Sequence, residues 1–161
     1  MDILTWLTTT VGGEFCFTIL VSMIPVVELR GGIPFGVAAG LSVPAAYLAA
    51  VIGNLLPVPF IIVYIRRIFQ WLRTHFPRLD SMVNALERKA HLKGRIVTRF
   101  KYLGLALFVA IPLPGTGAWT GALAAAFLDM PLRRAVPAIT LGVLAAGVLI
   151  SILTFGIVNI I

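Results

Sequence analysis

Charged residues leave four uncharged stretches of 13 residues or more, 15–27, 31–65, 102–128 and 135–161, of 13, 35, 27 and 27 residues. A helix that crosses a bilayer needs roughly 20 apolar residues, within about 17 to 25. The last stretch fits one crossing. The first is too short for a crossing, and the second is too long for one and too short for two. The third has the length, but IPLPGTGAW at 111–119 puts Pro112, Pro114, Gly115 and Gly117 within six residues, and a helix does not continue through them.

The partition that uses every stretch pairs short helices into re-entrant hairpins. One hairpin is expected over 15–41 with PVVELRGGIPFG at its tip, the other over 102–128 with PLPGTG at its tip. One full span follows each, over 43–65 and 135–159. Ser42 or Asp129 is positioned to cap the span, and Pro44 or Pro131 follows two residues later. An offset of 87 superposes the halves, with Pro25 on Pro112, Pro44 on Pro131, and 8 identities over positions 15–52. The identities are weak in so biased a composition. The matched proline spacing and order of elements carry more weight.

Charge sets the expected orientation. Residues 66–101 hold ten of the thirteen Lys and Arg and two of the six acids, a net +8, while the remainder is −1. Positive loops resist translocation, so this segment is expected in the cytoplasm of a multi-pass inner-membrane protein. The first span then ends inside, the second hairpin starts inside, and both termini are external. The two halves are inverted repeats, an arrangement that recurs in transporters. The expected fold is an all-α membrane protein of one domain over 1–161. Repeat one covers 1–65, a basic amphipathic linker covers 66–101, and repeat two covers 102–161. Residues 3–11 read as an interfacial segment. Residues 66–99 read as surface helices broken near Pro77, with a second helix after Asp80.

Composition agrees: 60% of residues are hydrophobic and 12% charged, against about half and a quarter in soluble domains. That excludes a soluble enzyme and a secreted disulfide scaffold. The basic charge is confined to one loop, so no nucleic-acid partner is expected either. Cys16 has no second cysteine and reads as a small buried hydrophobe.

Glu28 and Arg30 are the ionisable residues expected deep in the membrane, where charge is costly and marks function by default. In extended tip backbone they share a side. One reading makes Arg30 a clamp for an anionic group and Glu28 a proton or cation acceptor; the other has them neutralise each other. Gly31 and Gly32 in the first tip, and Pro112, Pro114, Gly115, Thr116 and Gly117 in the second, offer backbone to a substrate or coupling ion. Trp119 reads as a gate or as a packing aromatic. Asn54, beside Pro57 and Pro59, is expected to bond backbone freed by those prolines, with accessory ligand contact as the alternative. His75 and His91 lie in the basic loop, and Glu87 with His91 supplies too few ligands for a metal. No catalytic constellation is present, and no metal or cofactor is expected.

With PVVELRGGIPFG and IPLPGTGAWTGALAA in view, the chain resembles the small multidrug export family of prokaryotic membrane proteins over nearly its whole length. That family looks like a distant relative of the DedA proteins. Those carry paired re-entrant hairpins in inverted repeats, and several are implicated in moving polyprenyl phosphate or phospholipid between leaflets. By this resemblance Glu28 corresponds to the acid of the first hairpin, and IPLPGTG to the proline-glycine tip of the second. DedA proteins usually carry an arginine just after that tip, where this chain has Thr116, Gly117 and Ala118.

The expected function is transport of an amphiphilic, anionic substrate, a lipid phosphate or drug-like amphiphile, with proton coupling an option. The alternatives are an ion channel whose pore is built from the tips, or a non-transporting structural membrane protein. The expected partners are membrane lipid, the small amphiphilic substrate and a second copy of the chain, because tip backbone must be covered from lipid.

Overall fold

A computed structural model describes residues 10–75, 94–113 and 115–158. Among the described residues there are seven helices and no strand. They are α1 (Val11–Ser22), α2 (Glu28–Ala38), α3 (Val43–Leu55), α4 (Val58–His75), α5 (Gly94–Ala110), α6 (Ala118–Phe127) and α7 (Leu132–Val158).

Small residues set how the first half packs. Thr10 caps α1, its hydroxyl accepting the Gly13 N–H at 3.1 Å. Along α1 the Thr18 and Ser22 hydroxyls donate to the carbonyls of Glu14 and Thr18 at 2.7 and 2.8 Å. Both side chains are buried without an orphaned polar atom. Against them α2 presents glycines. A Cβ at Gly36 would lie 2.9 Å from the Thr18 hydroxyl and 3.0 Å from Ala46, and one at Gly32 would overlap the Ser22 hydroxyl beside Ala50. Such close approach is how helices associate where lipid removes the hydrophobic drive between them.

These contacts fix the register. Gly36 pairs with Ala46 and Gly32 with Ala50, so α2 runs antiparallel to α3 while α1 runs with it. One further turn brings Glu28 level with Asn54, midway along the apolar helical stretch Val43–Ile68. In the second half glycines again allow close approach. Gly121 of α6 packs on Val109 and Ile139, and Gly142 of α7 on the Ala106 carbonyl and Val109. The break after α5, at 111–113, therefore falls near the middle of the stretch Leu132–Gly156.

The two long apolar stretches, 26 and 25 residues, are each long enough to cross a membrane. They run antiparallel. Tyr47, near the start of the first, packs on Gly147 and donates to the Leu144 carbonyl at 3.3 Å. Arg66, near its end, donates to the Met130 carbonyl just before the second. Between them lies a continuous core that includes Ile33, Val58, Ile62, Val109, Met130, Ile139 and Val143.

Several boundaries differ from expectation. The first span is two helices, because Pro57 and Pro59 leave the Gly53 and Leu55 carbonyls without i+4 donors. Leu56 stays helical (φ −57°, ψ −44°), so the stretch still runs through Val43–Ile68. Residues 66–75 continue α4, and α5 begins at Gly94, so neither part is a helix of its own. Pro77, Asp80 and the helix expected after it lie outside the described residues, as do 1–9. Val11 opens α1. Ser42 stands at the N-cap of α3 but its side chain makes no capping bond. Asp129 adopts φ +48°, and α7 starts at Leu132, where the Pro131 carbonyl accepts from Arg134 and Ala135 at 2.9 Å. Cys16 is exposed on α1, not buried.

Candidate functional site

The two helix breaks meet. Glu28 opens α2 with φ +48°, a left-handed conformation that costs a non-glycine residue about 1–3 kcal/mol and persists only where neighbours enforce it. Its side chain is 5% exposed, and Oε1 accepts the Trp119 backbone N–H at 3.1 Å. Trp119 lies in the first turn of α6, whose N-cap, Gly117, provides no side-chain cap. Glu28 thus does for α6 what a capping aspartate does locally: a carboxylate meets unpaired amides at the positive end of a helix. Gly117 makes room for it. At φ +144° it occupies a region that side chains disfavour, and a Cβ there would overlap the carboxylate.

Arg30 works on the opposite kind of group. Its Nη1 donates to the Leu113 carbonyl, and its Nη2 to the Thr116 carbonyl and, at 2.9 Å, to Thr116 Oγ1. The Thr116 hydroxyl accepts from the Leu113 N–H at 3.1 Å and lies 2.6 Å from the Ile111 carbonyl, to which it donates. Trp119 returns the tie, its indole Nε1 donating to the Met23 carbonyl at the end of α1, 3.1 Å away. The first break supplies an acceptor for amides and a fork for carbonyls, and the second supplies an indole N–H. Each satisfies backbone groups the other leaves open.

Two expectations change here. Glu28 and Arg30 stand in the first turn of α2, not in extended tip backbone, and residues two apart on a helix do not face each other. Among the described residues no ion pair joins them; each reaches the second break separately. Asn54 does not bond the backbone freed by the prolines. It is fully buried, and neither its Oδ1 nor its Nδ2 has a partner.

The other candidate residues divide between the junction and its surroundings. Thr116, Gly117 and Trp119 are brought to Glu28 and Arg30. Gly31 and Gly32 lie within α2, Gly31 against Val27 and Gly32 in the seam with α1 and α3. Pro112 is half-buried, and Gly115 (φ +86°) is exposed with open space where a side chain would be. Pro114 lies outside the described residues. Nothing in the sequence singled out Met23 or Leu113, since both take part through backbone carbonyls alone.

Among the described residues the protein is all-helical, with two stretches long and apolar enough to cross a membrane and a polar junction buried between short helices, the makeup of a membrane protein. Residues 28–149 match the model of the family described as "Putative small multi-drug export protein", and the chain belongs to that family. The match begins at Glu28, where the first break ends, and takes in the whole of the second. No curated protein and no solved structure matches the chain.

Proposed function

We propose that this protein exports amphiphilic, anionic small molecules, and that the junction of the two breaks is its substrate and coupling site. The observation that carries the reading is Arg30, whose guanidinium is held on the Leu113 and Thr116 carbonyls near mid-depth. A phosphate or carboxylate is a better partner for that fork than neutral carbonyls, because the bonds become doubly charge-assisted. Substrate binding then frees the second tip from the first, and the two halves move relative to each other. Glu28 carries the coupling proton. Neutral, it holds the α6 amides less strongly, which links protonation to the same separation. Asn54, level with Glu28 and unpartnered, is an accessory polar group for the substrate.

In this reading the short helix pairs are re-entrant hairpins of two inverted repeats. The mid-span level of both breaks and the antiparallel long helices support it. The basic segment is cytoplasmic and the membrane is the inner one, by the charge asymmetry. Cysteines introduced at 90 and 160 then label from opposite sides; labelling of both from one side refutes the inverted repeat.

Function is tested by flux in proteoliposomes, with polyprenyl phosphate, phospholipid and drug-like amphiphiles as candidate substrates. Saturable flux that is lost in Arg30→Gln and loses its pH dependence in Glu28→Gln supports the exporter. Non-saturating conductance in place of flux indicates a channel and refutes it.

A further inference from the structure

A second polar cluster lies away from the junction, where both long stretches reach the same membrane boundary. The first stretch ends at Ile68 and the second starts at Leu132. One contact joins their ends, and another joins the start of the second stretch to α5. Arg66 donates to the Met130 carbonyl, and the Arg134 guanidinium lies over the Tyr102 ring of α5, 5.7 Å from its centroid. The Lys101 ammonium lies 5.3 Å from the centroid of the same ring. Arg133 is beside Arg134 and exposed.

This gathering is electrostatically unfavourable as it stands. Two cations share one aromatic ring, within the roughly 6 Å over which its quadrupole attracts either. Arg133 and Arg134 also occupy the first turn of α7, the positive end of a 27-residue helix, where acids are favoured and basic residues are not. Asp129 is the one acid in residues 94–134. The Arg66 Nε is buried without a partner. Among the described residues, three sources of positive potential therefore gather with too little negative charge to balance them.

We infer that Lys101, Tyr102, Arg133 and Arg134 form a binding site for the phosphate of an anionic phospholipid headgroup. The site lies at the depth of headgroups, because it sits where the apolar stretches end. Its tails have apolar surface close by: Leu103 and Leu107 on α5 and Leu141 on α7 are all more than half exposed. A free phosphate would meet the cations but gain nothing from that apolar surface. The inference does not depend on the junction or on what is exported.

The test uses the full-length protein, delipidated in mild detergent and offered equal phosphatidylglycerol and phosphatidylcholine. Native mass spectrometry is expected to show phosphatidylglycerol adducts in preference by about tenfold or more, since each interfacial cation adds roughly a fewfold to anionic-lipid affinity. Phosphatidylglycerol, and not phosphatidylcholine, is expected to raise the unfolding midpoint. Lys101→Gln with Arg134→Gln removes most of both effects, while Arg88→Gln, which takes one charge from the basic segment, leaves them. Equal adducts of the two lipids on the wild-type protein overturn the inference without any variant. So does a loss with Arg88→Gln equal to that of the double variant, or a midpoint shift from inorganic phosphate that matches the lipid's.

Discussion

The Glu28 carboxylate accepts the backbone N–H of Trp119, 91 residues further along the chain, at 3.1 Å. One half of the protein thereby caps a helix of the other. The bond explains why a buried acid is tolerated in so apolar a chain. The carboxylate replaces water for amides at the N-terminus of α6, and Gly117 leaves it the space.

The cap makes Glu28→Gln a defined perturbation. The side-chain amide keeps the shape but turns one oxygen into a donor facing the amides of α6. Thermal unfolding is expected to show a loss of about 1–3 kcal/mol. A variant as stable as wild type would mean that the carboxylate is not the cap.

Gly117 and Gly115 separate two costs. Both have positive φ, but only at Gly117 would a Cβ meet the carboxylate; at Gly115 the space is open. Gly115→Ala is expected to cost about 1 kcal/mol from backbone conformation alone. Gly117→Ala is expected to cost clearly more and to abolish flux. Equal stability losses by denaturant titration would argue against the contact with Glu28.

The double variant Glu28→Gln with Arg30→Gln decides between a site and a purely structural tie. Folded protein that transports at the wild-type rate would make both residues structural. Folded protein without flux is expected. Arg30→Lys is expected to retain only part of the flux, because an ammonium cannot reproduce the two-pronged contact with Leu113 and Thr116 or with an anion.

Asn54 offers the opposite sign. Two buried, unpartnered polar atoms cost stability, so Asn54→Leu is expected to stabilise the protein by about 1–3 kcal/mol. If Asn54 serves the substrate, flux falls in the same variant. A destabilised Asn54→Leu would show that the amide has partners in the membrane.

Exposure at the breaks motivates a prediction about oligomeric state. Val26 is 94% exposed with φ +80°, and Leu113 is 56% exposed beside carbonyls of an irregular segment. A second copy covering this face, most simply in a dimer, is expected. Mass measurement in nanodiscs checks it, and a strictly monomeric mass counts against it.

Much of this architecture can be read along the chain, because the bilayer imposes a length rule on apolar stretches and prolines interrupt helices wherever they occur. The lengths of the uncharged stretches and the IPLPGTG break were enough to divide the chain into short helix pairs and long helices. They also singled out Glu28, Arg30, Thr116, Gly117 and Trp119. What they could not give was partnership. Two charges two residues apart suggest a local pair. Whether they pair depends on where the helix starts, and α2 starts at Glu28 itself. The partners proved to be amides and carbonyls of a segment more than 80 residues away, and backbone groups leave no mark in the identity of a residue. The same holds for Asn54, whose expected partners were adjacent in sequence and whose side chain bonds neither. Local rules set where helices break. Which break satisfies which is decided by packing, through glycine seams whose depth of approach only the folded chain reveals.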